Sequence, residues 1–189
     1  WSERRTSPFG AALHWNKSLP TVDAAAHVRT GPQGWDTYLA VHRHGGVEVG
    51  TSDVYEIRER RCFQLVRTVG LLWLALETQS EVLEHIAAEG PWQVTLAMEQ
   101  TEGALLGNLA RGWKSPGRGA ISPPGCMEPN VVIQEELDEW PAQKDANEIR
   151  ELAFCFGGRI EDAWGVKQQR FLAHRGELEG QFDSRQWRL

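Results

Sequence analysis

The chain has 189 residues, 41% hydrophobic and 24% charged, with a formal net charge of −6. That length holds one domain, or one domain plus an arm, with a core that needs no disulfide or metal staple. The acidic balance excludes broad, unaided attraction to phosphate backbones, and no apolar run approaches the ~18 residues of a membrane span.

Charge divides unevenly. Residues 1–76 carry 9 Lys/Arg against 7 Asp/Glu, and residues 77–189 carry 11 against 19, which leaves room for a local basic site near the front. Cys62, Cys126 and Cys155 form no CxxC or other ligand-spaced pair, so a reducing compartment fits better than a secreted disulfide framework. No signal peptide opens the chain, and the cytoplasm is the expected location. The first residue is Trp1 rather than Met, which reads as a fragment or a processed form.

Residues 1–34 are punctuated by Ser7-Pro8, Leu19-Pro20 and Gly31-Pro32 and have weak periodicity. They read as an irregular arm or the tail of a preceding domain. A single domain is expected over residues 35–189. Its first element is a strand from Asp36 to His44, followed by a Gly45-Gly46 turn and a return strand from Val47 to Gly50. A long helix is predicted from about Tyr55 to Glu89, because Cys62, Val66, Val69, Leu72, Leu76, Leu83 and Ile86 recur at three- and four-residue steps. Asp53 with Glu56 resembles a capping box, and Glu89-Gly90-Pro91 supplies a stop.

Trp92 to Glu99 alternates apolar and polar residues and predicts a half-buried strand. A further strand is predicted over Ala104 to Ala110, and another over Asn130 to Leu137. Between them residues 114–129 hold four Pro and three Gly and predict a long loop. The last clear element is a helix from about Ala146 to Trp164, with a stripe of Ile149, Leu152, Ala153, Phe156, Ile160 and Ala163. Asp145 and Glu148 form its capping box, and Gly165 its C-cap. Nine tryptophans are many for this length, and most should serve the core, where a large ring with one donor is useful. The expected fold is α+β: a mixed or antiparallel sheet of four or more strands, with the two main helices packed on one face.

Four constellations carry possible chemistry. On one continuous strand His42, His44 and Glu48 would share a face, and two imidazoles with a carboxylate are metal ligands. A two-residue turn at Gly45-Gly46 instead pairs His44 with Val47, Arg43 with Glu48 and His42 with Val49, which leaves no metal site and is the preferred reading. Arg111-Gly112-Trp113, before Lys114 and Arg118, offers a guanidinium and a ring for a phosphate and a base; the plainer reading is a strand end with solvated charges. Arg58, Arg60, Arg61 and Arg67 crowd the predicted first helix and form either a nucleic-acid stripe or, with Glu56 and Glu59 among them, a solvated face. Glu135, Glu136, Asp138 and Glu139 read as a wet, charge-protected edge rather than as nuclease carboxylates. Neither G-x-S-x-G nor H-E-x-x-H is present, and no catalytic residue or cofactor is assigned.

The stretches His42-Arg-His-Gly-Gly-Val-Glu-Val-Gly50, Glu89-Gly-Pro-Trp92, Gly103-Ala-Leu-Leu-Gly107, Arg111-Gly-Trp113, Pro129-Asn-Val-Val132, Glu135-Glu-Leu-Asp-Glu-Trp140 and Arg159-Ile-Glu-Asp-Ala-Trp-Gly165 share a texture. Over about residues 35–185 the chain resembles the C-terminal part of bacterial, mostly actinobacterial, ATP-binding or Schlafen AlbA-type DNA-binding proteins. In such proteins the nucleotide- or nucleic-acid-associated residues lie in an N-terminal AlbA-type domain, whose strand-Glu and Lys pattern is not found here. The resemblance implies a non-catalytic accessory or interaction domain of a larger nucleotide- or nucleic-acid-associated protein, partnered by an N-terminal domain or another protein. The alternatives are a nucleotide or nucleic-acid binding module using Arg43, Arg60, Arg61, Arg111 and Trp113, and a metal-dependent hydrolase using His42 and His44.

Overall fold

The computed structural model describes residues 4–6, 12–14, 17–20, 23–31, 34–52, 55–57, 61–86, 88–107, 125–141 and 146–165. Four short or medium strands come first: β1 (Arg4–Thr6), β2 (Ala12–His14), β3 (Lys17–Pro20) and β4 (Ala24–Gly31). Then follow β5 (Gly34–His42), β6 (Val47–Thr51), β7 (Tyr55–Ile57) and β8 (Arg61–Gln64), and the helix α1 (Leu65–Leu83). The remainder is β9 (Trp92–Glu99), β10 (Leu105–Gly107), β11 (Asn130–Leu137) and the helix α2 (Ala146–Ala163). The chain is α+β, and its largest sheet is four-stranded and antiparallel, in the order β3-β4-β5-β6.

Three expectations are corrected here. The described residues among the first 34 are not an irregular arm. They carry four strands, and β3 and β4 belong to the same sheet as the β5–β6 hairpin, so that sheet crosses the boundary expected at residue 35. Ala24-Ala25-Ala26 has little strand preference of its own; the ladder that β5 offers decides it.

The second correction concerns residues 55–64. The described residues among them, Tyr55–Ile57 and Arg61–Gln64, are strands rather than helix: β7 pairs antiparallel with β8, and β8 pairs parallel with β10, with Cys62, Phe63 and Gln64 opposite Leu105, Leu106 and Gly107. Helix α1 starts at Leu65 after Gln64, which makes no side-chain cap, and it ends at Leu83, well before Gly90-Pro91. Phe63 and Leu65, both fully buried, sit on either side of this junction. An apolar step of three or four residues across it mimics a helix that the parallel ladder overrules. Of the four arginines weighed as a stripe, Arg61 lies on a strand and Arg67 on α1, while Arg58 and Arg60 lie outside the described residues.

Third, the predicted strands do not all join one sheet. β9 and β11 form a separate antiparallel pair, with Val131 opposite Met98 and Ile133 opposite Leu96. The alternation predicted for Trp92–Glu99 is kept in β9. Val94, Met98, Val131 and Ile133 are buried, and Gln93, Thr95, Ala97, Val132, Gln134 and Glu136 are exposed.

The inward face of this pair meets both helices. The core gathers Val69, Leu72, Trp73 and Leu76 of α1, Ile149, Ala153, Phe156 and Ile160 of α2, and Phe63, Leu106, Cys126 and Trp164. Leu96 and Leu152 pack against it, partly buried. Helix α2 follows its predicted stripe, and Gly165 ends it at φ +70°, a conformation a residue without Cβ adopts freely.

Helix α1 is buried on more than one side, because it also packs against β6 of the large sheet. Its polar residues on that account need internal partners. The hydroxyls of Thr68, Thr78 and Ser80 donate to the carbonyls of Gln64, Leu74 and Leu76, four residues back. Ser80 also accepts from Trp140 Nε1 at 2.8 Å. No helix among the described residues is long and apolar enough to cross a membrane, and none of the three cysteines is in a disulfide.

Candidate functional site: the Tyr38–His42–His44–Glu48 cluster

The strongest juxtaposition of polar side chains lies at the end of the β5–β6 hairpin, where the turn decides everything. The Gly45 amide donates to the His42 carbonyl at 2.9 Å, and the His42 amide donates to the Gly46 carbonyl at 2.8 Å. Gly45 has φ +89°. This is a three-residue loop, Arg43-His44-Gly45, closed by a glycine bulge. The predicted two-residue turn is therefore replaced, and the register moves with it. Val41 lies opposite Val47, Ala40 opposite Glu48 and Leu39 opposite Val49.

The shift is an odd number of residues, so it reverses which faces meet. Glu48 is not beside Arg43, as expected, but on the face of Tyr38, Ala40 and His42. The Tyr38 hydroxyl donates to Glu48 Oε1, and His42 Nε2 lies 3.1 Å from Glu48 Oε2. The His42 and His44 rings stack with centroids 5.2 Å apart and planes 8° from parallel. His44 Nδ1 accepts the Gly46 amide at 3.2 Å. Burial, then the hydrogen bond and the charge of Glu48, push the Tyr38 hydroxyl up to about 12.

Two glycines make this packing possible. A Cβ on Gly46 would come within 2.6 Å of His44 Cε1, and one on Gly50 would collide with the Tyr38 ring. On the other side the turn is held by α1. The Gln79 carboxamide accepts the Val47 amide at 2.9 Å and donates to the Gly45 carbonyl at 2.8 Å. One buried side chain thus stands in for a missing strand neighbour.

The three residues weighed as metal ligands do come together, but not as a metal site. A metal must lie in the plane of each ligating ring, on its nitrogen lone pair, and two stacked parallel rings share no such point. His42 Nε2 is turned to Glu48, and His44 Nδ1 to a backbone amide. No group of three or more His, Cys, Asp or Glu among the described residues is placed to hold a metal ion. Protein purified without chelator is accordingly expected to carry far less than one equivalent of zinc by elemental analysis. A full equivalent, lost on His42→Ala, would show that the turn opens in solution into a ligand set.

Two of the other sequence candidates, Arg43 and Arg61, lie within the described residues. Arg43 is exposed in the turn, its amide bonded to the Asp23 carbonyl at 2.8 Å. Arg61, on β8, donates to the Glu102 carbonyl at 2.8 Å. Arg60, Arg111 and Trp113 lie outside the described residues. The acidic run behaves as a charged edge: Glu135 meets Arg159 of α2 at 2.9 Å, while Glu136, Asp138 and Glu139 are exposed. Sequence reasoning missed Tyr38 and Gln79. Tyr38 was legible, since it alternates with His42 along one strand face; Gln79 was not, because it lies 32 residues from Val47.

No protein-family model, curated protein or solved structure matches the chain.

Proposed function

We propose that the chain is a non-catalytic accessory or interaction domain of a larger bacterial nucleotide- or nucleic-acid-associated protein, acting in the cytoplasm with an N-terminal domain or a protein partner. The observation that supports this best is the closure of the Tyr38–His42–His44–Glu48 cluster on itself. A general base or nucleophile must present a lone pair to a substrate. Here each Glu48 oxygen already has a partner, Tyr38 or His42, and His44 Nδ1 accepts the Gly46 amide, so the polar atoms of the cluster are directed largely at one another.

A second reading, a nucleotide or nucleic-acid binding module, draws on Arg43, which is exposed in the turn. The test is fluorescence anisotropy with a labelled duplex across a salt series. The net charge of −6 withholds the uniform attraction behind non-specific binding. Binding is expected to be weak or absent at ~0.15 M salt, steeply salt-dependent, and abolished by Ala at Arg60, Arg61 or Arg111. A sub-micromolar dissociation constant that those substitutions leave unchanged would overturn the accessory-domain reading.

A further inference from the structure

The two edges of the β9–β11 ribbon differ. On β11 the Gln134 carbonyl accepts Arg159 Nη1 of α2 at 2.8 Å, and the same guanidinium meets Glu135 at 2.9 Å. Gln134 therefore turns its carbonyl away from β9. In an antiparallel ladder the residue directly opposite then turns its own amide and carbonyl away too. That residue is Thr95, and at the strand period of two Gln93, Ala97 and Glu99 follow it. Among the described residues β9 pairs with β11 alone, and Gln93, Thr95, Ala97 and Glu99 are all exposed. Trp92–Glu99 also lacks the Pro, Lys and bulge that usually protect an open edge, since it pairs with β11 in unbroken register.

Charge selects what this edge accepts. Residues 92–107 and 125–141 contain no Lys or Arg. Glu99, Glu102 and Glu128 are exposed at or beyond one end of the ribbon, and Glu136, Asp138 and Glu139 at or beyond the other. A second copy added antiparallel to β9 would bring the Glu99 end of one copy against the Asp138 end of the other, acid against acid. A phosphate backbone is repelled by the same carboxylates. We propose that the edge of β9 opposite β11 is a docking site for an extended, Lys- or Arg-bearing segment of a partner protein, which adds to the ribbon as a third strand. Main-chain hydrogen bonds to Gln93, Thr95 and Ala97 supply attachment, and cations set against the carboxylates supply the choice of partner. This rests on the reading of the chain as an interaction domain and gives the chemistry of its partner.

The test is nuclear magnetic resonance of the whole chain titrated with a synthetic peptide of alternating Lys and Val, against one of alternating Glu and Val. The Lys–Val peptide is expected to shift the amides of Gln93, Thr95 and Ala97, to slow their exchange with solvent, and to lose affinity as salt is raised. The Glu–Val peptide should leave them unmoved. Glu128→Lys combined with Glu136→Lys reverses an exposed charge toward each end of the ribbon and should weaken binding about tenfold, through lost and reversed surface pairs. Thr95→Pro removes an outward amide, a change tolerated at a strand edge, and should abolish the response of β9. If that variant fails to fold, the double charge reversal decides alone. Shifts confined to another surface would leave the interaction-domain reading standing and remove β9 from it. Equal shifts with both peptides, or no response at β9, would sink the proposal. So would β9 amides that move with protein concentration alone, since the occupant would then be a second copy. Tight duplex binding in the anisotropy series strikes the interaction-domain reading itself, whatever β9 does.

Discussion

Replacing Trp164 by Ala is expected to remove about 4 kcal/mol of stability, the range for deleting a large aromatic from a core. Trp164 is 1% exposed and stacks on Phe63 at 5.0 Å. Its Nε1 donates to the Ala104 carbonyl at 2.8 Å. One side chain thus joins the end of α2 to β8 and to the segment entering β10. A domain of this kind has only about 5–15 kcal/mol in total, so the variant should unfold at far lower urea, followed by circular dichroism. Trp164→Phe separates the two contributions. It keeps most of the ring packing, and the Ala104 carbonyl still accepts the Cys126 amide at 3.0 Å. The loss there should be nearer 1 kcal/mol from the hydrogen bond, with some added cost for the smaller ring. Equal losses in the two variants would mean that the hydrogen bond, not the packing, carries Trp164.

Gln79→Ala is the second substitution with a large expected effect. It strips partners from the Val47 amide and the Gly45 carbonyl together. Leaving a buried polar group unsatisfied costs about 1–3 kcal/mol, so a loss of about 3 kcal/mol is expected. It should be concentrated in the hairpin, read as faster amide exchange at Val47 with less change in α2. Gln79→Glu gives a signed control. A carboxylate still accepts from Val47 but sets an oxygen against the Gly45 carbonyl and brings a charge into a buried position. Protonation restores a donor. This variant should therefore be least stable at neutral pH and recover as the pH is lowered. A Gln79→Ala variant with unchanged stability would show that the hairpin holds its place through β4 and β5 alone.

Local patterns were readable wherever one segment buries one face. Trp92–Glu99 alternates because one side meets the core and the other water, and its antiparallel pairing with β11 keeps that alternation. The α2 stripe was legible for the same reason, with Ile149, Ala153, Phe156 and Ile160 all at 5% exposure or less. The Gly-rich turn was located but its length was not. Gly45-Gly46 satisfies both a two-residue turn and a three-residue loop with a bulge, and the choice lies with the Gln79 clamp and the ladder to β4 rather than with the turn itself.

What the sequence determined by itself is the α+β class, the two β9–β11 strands, helix α2 and the presence of a hairpin around Gly45-Gly46. These depend on periodicity and on glycine's tolerance of positive φ, which are properties of a few adjacent residues. Tertiary structure alone decided that residues 61–64 are a strand, that residues 17–31 complete a sheet, and that Glu48 meets His42 and Tyr38. Each of these depends on a partner distant in the chain: Leu105–Gly107 for β8, β5 for the alanines of β4, and a register in which one odd shift turns Glu48 from Arg43 toward His42. Backbone hydrogen bonds to a remote strand are stronger arbiters than local preference, and they leave no trace in the spacing of neighbouring residues.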